Sequence, residues 1–232
     1  MPSPAAERRR LLIFEPNAEG HSLEWLAHLI HYRDPGTEIS IVAPAELCRA
    51  LRCAGDTAVQ TIALTPREAA LCVQRPLSLA AFTRWRLMRR HLRESGAEHG
   101  FFLTIDLLAM PLAFGLGFGG RSVSGILFRP SVHYAALGPY RPSLGERLRD
   151  WRKDVFYRLM LRNRALARVL SLDPFFPDYA RRRYPDGAKV ESLPDPAQQP
   201  VEKAAPPAHP ESEFVPPGRI GFLLFEIGRA HV

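Results

Sequence analysis

The sequence predicts an α/β domain, Rossmann-like and three-layered, on a mostly parallel sheet of about seven strands. Two observations lead there. Short apolar runs rich in β-formers alternate along the chain with stretches of helical periodicity, the pattern that repeated βαβ units require. Polar, turn-forming residues follow nearly every run, at the edge of such a sheet where ligands bind.

Residues 11–14, Leu-Leu-Ile-Phe, are too few for a buried helix and are closed by Pro16, so they read as a buried parallel strand. After a polar loop over 15–21, Ser22 is the expected N-cap of a helix. Leu23, Leu26, Ala27 and Ile30 recur behind it at helical spacing, widened by Trp25 and Leu29. The Asp34-Pro35-Gly36 turn leads to a second strand over 38–43, and Pro44 opens a helix to about residue 53. A third strand is expected over 57–64. Thr65-Pro66-Arg67-Glu68 is a capping box that begins a short helix, and a longer one covers 78–95, stopped by Gly96. The longer helix offers Leu79, Phe82, Trp85, Met88 and Leu92 as its buried stripe, with Arg84, Arg86, Arg89, Arg90 and Arg93 around it.

The fourth strand is expected over 100–105, then a short helix over 107–114 made irregular by Pro111. Residues 122–128 give the fifth strand, and 129–142 a loop rich in turn residues. Ser143 begins the clearest amphipathic helix, reaching about residue 165, with Leu144, Leu148, Trp151, Val155 and Leu159 as its buried stripe. A sixth strand over 168–172, a helix over 174–183 and a seventh strand over 189–193 complete a domain expected to span 1–196. Residues 197–218 are rich in proline and alanine without apolar periodicity and read as a connector. Residues 219–225, Arg-Ile-Gly-Phe-Leu-Leu-Phe, are again a strand pattern.

At 232 residues and 46% apolar content the chain is long enough to bury a full core. Its formal charge of +7 favours phosphates or an anionic membrane surface, unless it is simply a solvated basic face. Cys48, Cys53 and Cys72 show neither a CxxC pair nor metal spacing, which fits a reducing cytoplasm. The apolar run behind the basic N-terminus is too short for a secretory signal. Residues 101–118 are the one stretch a hydropathy window flags. Asp106, Pro111, Gly115 and Gly117 divide it into a strand and a helix, against a membrane span.

The strand ends deliver the candidate chemistry. The first supplies Glu15, Asn17, Gly20 and His21, the fourth Asp106, the fifth Arg129, Ser131 and His133, the sixth Asp173 and the seventh Asp195. Gly20 lets backbone approach a ligand, and the helix start behind His21 favours an anionic or hydroxylated group. Asp106 and Asp173 read equally as helix caps, and a loop histidine equally as a structural one. His28 and His31, within a helix, read as surface residues. Residues 115–120 match GxGxxG, but in the order helix, glycines, strand, so they do not read as a dinucleotide site. There is no P-loop, GxSxG elbow, HExxH or Cys-His metal spacing, and no recognised nucleic-acid module.

With Leu193-Pro194-Asp195-Pro196, the connector and 219–225, this layout resembles the N-terminal half of a GT-B glycosyltransferase of the group 1, retaining, nucleotide-sugar-dependent family. The resemblance implies transfer of a sugar from a nucleoside diphosphate to an acceptor hydroxyl, in glycan or glycolipid synthesis. It implies a nucleotide sugar as co-substrate, no other cofactor and no metal. The partners implied are an acceptor glycan, lipid or small molecule and, at the inner face of the membrane, an anionic surface; no nucleic acid is expected. Gly20, His21 and Arg129, then His133 and Asp106, are the implied cleft contacts, and no residue is assigned as catalytic. The family's donor-binding domain, with its basic residues and paired glutamates, is not recognisable in 1–232. Residues 219–226 are therefore expected to be its first strand. Residues 227–232, similar to one frame of a sequencing adapter, are expected to be a non-native tail, and the fragment to be inactive. The rival reading is a non-catalytic α/β binding module with a basic membrane- or phosphate-facing surface over 84–93.

Overall fold

The computed structural model describes residues 9–18, 20–34, 36–53, 59–128, 130–137 and 141–194. Every described residue belongs to one compact unit, Met1–Pro196. Arg129, Asp195 and the expected connector, eighth strand and tail lie outside the described residues.

Seven strands form one sheet in the order β3-β2-β1-β4-β5-β6-β7, and every adjacent pair is parallel. They are β1 (Arg9–Phe14), β2 (Thr37–Pro44), β3 (Val59–Leu64), β4 (His99–Phe102), β5 (Ser122–Leu127), β6 (Leu166–Ser171) and β7 (Val190–Ser192). The helices are α1 (Ser22–His31), α2 (Ala45–Cys53), α3 (Pro66–Val73), α4 (Leu77–Ser95), α5 (Ala109–Ala113), α6 (Tyr134–Leu137), α7 (Leu144–Arg162) and α8 (Phe176–Arg183). The expected class is the one observed.

Alternation along the strands splits the core in two, because neighbouring side chains point to opposite faces. Ile13, Ile39, Ile41, Phe101 and Ile126 pack with Leu26 of α1 and Leu47, Cys48 and Leu51 of α2. Leu12, Phe14, Val42, Phe102, Val123 and Val169 pack on the other face with α3, α4, α5, α7 and α8. Sequence order reverses between β1 and β4, where the connections leave for opposite faces, and this opens a crevice at the carboxyl edge. Gly125 sets the depth of that edge. A Cβ there would lie 2.5 Å from Phe102 O and 2.9 Å from Ile105 Cβ, so only glycine lets the 3-10 turn Ile105–Leu108 rest on β5.

Several elements depart from expectation. His21, not Ser22, occupies the cap position of α1, and no side chain caps it. Leu23 and Ala27 are exposed, and α1 meets the core through Trp25, Leu26, Leu29 and Ile30 instead. Pro44 closes β2 instead of opening α2. β4 ends at Phe102 because the chain turns at once into the 3-10 turn. The expected loop over 129–142 contains a 3-10 turn, Ser131–His133, and α6. The glycines of 115–120 close α5 and turn the chain into β5 at the amino edge of the sheet.

The two long helices are rotated from their expected faces. α4 buries Ala80, Ala81, Arg84, Leu87, Met88, His91 and Leu92, while Leu79 is exposed. Arg84 is thus enclosed and Arg90 pairs with Glu68 and Glu94, which removes two cations from the basic surface expected over 84–93. α7 buries Tyr157, Met160 and Leu161, and the stripe expected inside faces out. Both capping boxes are formed: Glu68 N–H donates to Thr65 Oγ1 and Glu146 N–H to Ser143 Oγ, with each glutamate reaching back to the cap N–H. Replacing Ser143 by Ala is expected to destabilise the protein by about 1 kcal/mol in urea titrations. No loss would mean that solvent caps α7 as well as the hydroxyl does.

Candidate functional site

The carboxyl edge of the sheet carries a cleft of about 590 Å³. Its walls are the first turns of α4 (Leu77, Ser78, Ala81), the 3-10 turn and α5 (Asp106, Leu107, Ala109, Met110), and one side of α7 (Arg152, Lys153, Phe156, Tyr157). Most of this lining is apolar. Its polar end is Asp106, brought there by the turn that Gly125 admits.

Asp106 does not cap a helix. Its Oδ2 accepts from the Phe128 N–H at 3.3 Å and its Oδ1 from the Tyr157 hydroxyl at 3.3 Å. Burial raises its pKa to about 6, against the lowering influence of those two donors and of the Lys153 charge. The same enclosure, with the neighbouring carboxylate, pushes the Tyr157 hydroxyl well above its ordinary range. Lys153 Nζ donates to Ser131 Oγ at 3.1 Å, and Ser131 Oγ donates to Asp150 Oδ1 at 3.1 Å. A carboxyl that titrates near neutrality, a held ammonium and a phenol therefore share one end of an apolar cleft. Such an end can orient a hydroxyl or a small anion, while the walls take an apolar body.

A second polar group lies at the end of β1. Glu15 is only 1% exposed; its Oε1 accepts from the Asn17 N–H at 2.8 Å, and its Oε2 has no hydrogen-bond partner among the described residues. Arg84, 3% exposed, likewise leaves Nε and Nη1 without partners there. Burial raises Glu15 to about 7, more than the Asn17 amide and the Arg84 charge lower it. Burial also lowers Arg84 and lifts the Cys72 thiol to about 11.

The remaining expected residues fall in two places. Gly20, at φ +75°, makes the turn into α1, and His21 follows it with its Nδ1 2.8 Å from Glu24 Oε2 on the exposed helix start. That bond places the Nδ1 proton toward Glu24. His133 is buried, 1% exposed, among Tyr134, Phe176 and Tyr179. Its Nδ1 is 2.6 Å from Pro130 O, and its Nε2 lies 3.2 Å from Asp173 Oδ2 but off the line of a hydrogen bond. Asp173 Oδ1 also accepts from the Phe175 N–H, so His133 and Asp173 brace the turn into α8. His28 and His31 are exposed, as expected. Among the described residues no cluster of three or more His, Cys, Asp or Glu could hold a metal ion. No described helix is long and apolar enough to cross a membrane.

Glu15, Arg84, Lys153 and Tyr157 are the site residues that sequence reasoning missed or left unassigned. Glu15 carried the only available signal, a carboxylate directly behind an apolar run.

No protein-family model and no curated protein sequence matches the chain. Solved structures do. The structure of Phytolacca americana UGT2 complexed with UDP-2fluoro-glucose and pterostilbene aligns with 82% of this chain at 12% identity and a TM-score of 0.52. A kitacinnamycin glycotransferase aligns with 78% at 15% identity and a TM-score of 0.37, too distant to argue from. This chain covers 55% and 48% of those two proteins, about half of each. The likeness is one of fold: the described sheet and its flanking helices have a Rossmann-like α/β arrangement also found in a glycosyltransferase.

Proposed function

We propose that this chain is the acceptor-side half of a retaining glycosyltransferase of the GT-B kind, using a nucleoside-diphosphate sugar and no metal. The bond between the sugar's anomeric carbon and the diphosphate breaks, and a bond forms to an acceptor oxygen. The diphosphate departs with the electron pair of the broken bond and takes up the acceptor's proton. Stabilisation of that departing charge, the largest demand of such a reaction, falls to donor-binding residues beyond this domain. His21 hydrogen-bonds a hydroxyl of the transferred sugar. The cleft holds the acceptor, its apolar body against Met110 and Phe156 and its hydroxyl toward Asp106. The observation that supports this most is the position of the cleft, at the carboxyl edge of a sheet whose order reverses between β1 and β4, in a fold also found in a glycosyltransferase.

The test titrates the 232-residue chain with hydroxylated aromatic and aliphatic ligands, read by NMR. Binding of at least one ligand class is expected, weakened about tenfold or more by Phe156→Ala, which removes one wall of the cleft. Turnover is expected to be absent with any nucleotide sugar. Turnover by this chain alone would overturn the division of labour. Binding that ignores Phe156→Ala and Asp106→Asn would overturn the acceptor site.

A further inference from the structure

α7 turns outward the face that its periodicity marks as apolar. Leu144, Leu148, Trp151, Val155 and Leu159 recur in steps of three and four, so they form a single stripe along the helix. Leu144, Leu148 and Trp151 are 83%, 66% and 63% exposed. At about 3.6 residues per turn, Arg147 and Arg158 fall along one margin of the stripe, Arg152 along the other and Arg162 at its end, while Arg149 lies farther round the helix. All five arginines are exposed. Arg149 lies 3.8 Å from Glu146; the other four have no carboxylate at ion-pair distance among the described residues. The acids of the helix have other partners as well. Glu146 closes the capping box, Asp150 accepts from Ser131, and Asp154 holds Arg183 and Tyr184.

We propose that α7 docks in the plane of an anionic lipid surface, its stripe at the acyl boundary and its arginines at the phosphates. An apolar stripe with cationic margins is what an interfacial helix presents. The long arginine side chains suit both layers, with their methylenes in the apolar zone and their guanidiniums among headgroups. The formal charge of +7 acts in the same direction. A second copy fits this face poorly, because two-fold pairing would set its arginine margins against each other. Arg152 borders both the stripe and the cleft, so docking brings the cleft mouth beside the lipid surface. The proposal does not depend on the transferase reading.

The test floats the full chain with vesicles of phosphatidylcholine, with and without 30% phosphatidylglycerol. Binding is expected only to the anionic vesicles, weakening with salt, with a blue shift of tryptophan emission that Trp151→Phe removes. Leu148→Ser with Trp151→Ser should lower vesicle affinity about 100-fold, and Arg147→Gln with Arg158→Gln about 30-fold with a shallower salt dependence. All four positions are solvent-facing, so thermal melts should match the parent protein. Three outcomes overturn the proposal. One is no anionic-vesicle binding at low salt. Another is binding indifferent to the stripe variant. The last is Trp151 shielded from acrylamide without vesicles, which places another segment or a second copy on the stripe.

Discussion

Glu15→Gln should stabilise the protein at pH 8 by on the order of 3 kcal/mol and leave its stability at pH 4 unchanged. The carboxyl is enclosed at the end of β1 and titrates at about 7 in the folded state, against an ordinary value of 4.5. Between those values the folded protein keeps a proton that the unfolded chain has released, so the stability tied to this group falls as pH rises through the interval. It is fully present below pH 4.5 and lost above 7. Glutamine keeps the acceptor for the Asn17 N–H and removes the ionisation, so the variant should lose most of the slope across that window. Urea titrations from pH 4 to pH 8 check this. A slope equal to the parent's, or a loss of stability at pH 8, would show that ionised Glu15 is held by Arg84 more strongly than burial opposes it.

Asn163→Ala should lower stability by about 3 kcal/mol, which for a domain of this size is roughly 10 °C in melting temperature. Asn163 follows α7, where its Nδ2 donates to Leu112 O at 2.9 Å and Leu116 O at 3.1 Å, and its Oδ1 accepts from the Ala165 N–H at 2.9 Å. One side chain thus ties the end of α7 to α5 and to the turn before β6. Alanine strands the Leu116 carbonyl and the Ala165 amide and leaves the Leu112 carbonyl with the Gly115 N–H, whereas Asn163→Asp keeps the Ala165 bond but aims an oxygen at two carbonyls. The aspartate variant should therefore be worse than the alanine. Calorimetry of the two variants decides it, and a loss below 1 kcal/mol for alanine would mean that water replaces the amide.

The strands were legible because a buried parallel strand announces itself as a short apolar run, as residues 11–14 and 38–43 do. The capping box at Thr65 was legible for a similar reason, since its chemistry is local. What failed was the choice of buried face on long helices. Periodicity shows that Leu144 to Leu159 line up, but whether a stripe meets a core depends on where the helix sits. α7 meets α5 and the sheet through Tyr157, Met160 and Leu161 instead. Arg84 failed in the complementary way: a cation in a helix reads as surface, and only the tertiary arrangement puts it beside Glu15. Half of the candidate site was legible. Asp106 follows from its strand, while Lys153 and Tyr157 come from a helix about fifty residues later, with no local pattern to join them.

The pairing of β1 with β4 also shapes the order in which a nascent chain can assemble. β1, β2 and β3 can zip together once Leu64 has left the ribosome, but the other side of β1 waits for His99 to Phe102. During that interval Leu11 to Phe14 present an open row of amides and carbonyls on an apolar strand, a template for pairing with a neighbouring chain. Translation speed across α3 and α4 therefore sets how long the half-built sheet stays adhesive, and slow passage there favours aggregation over folding.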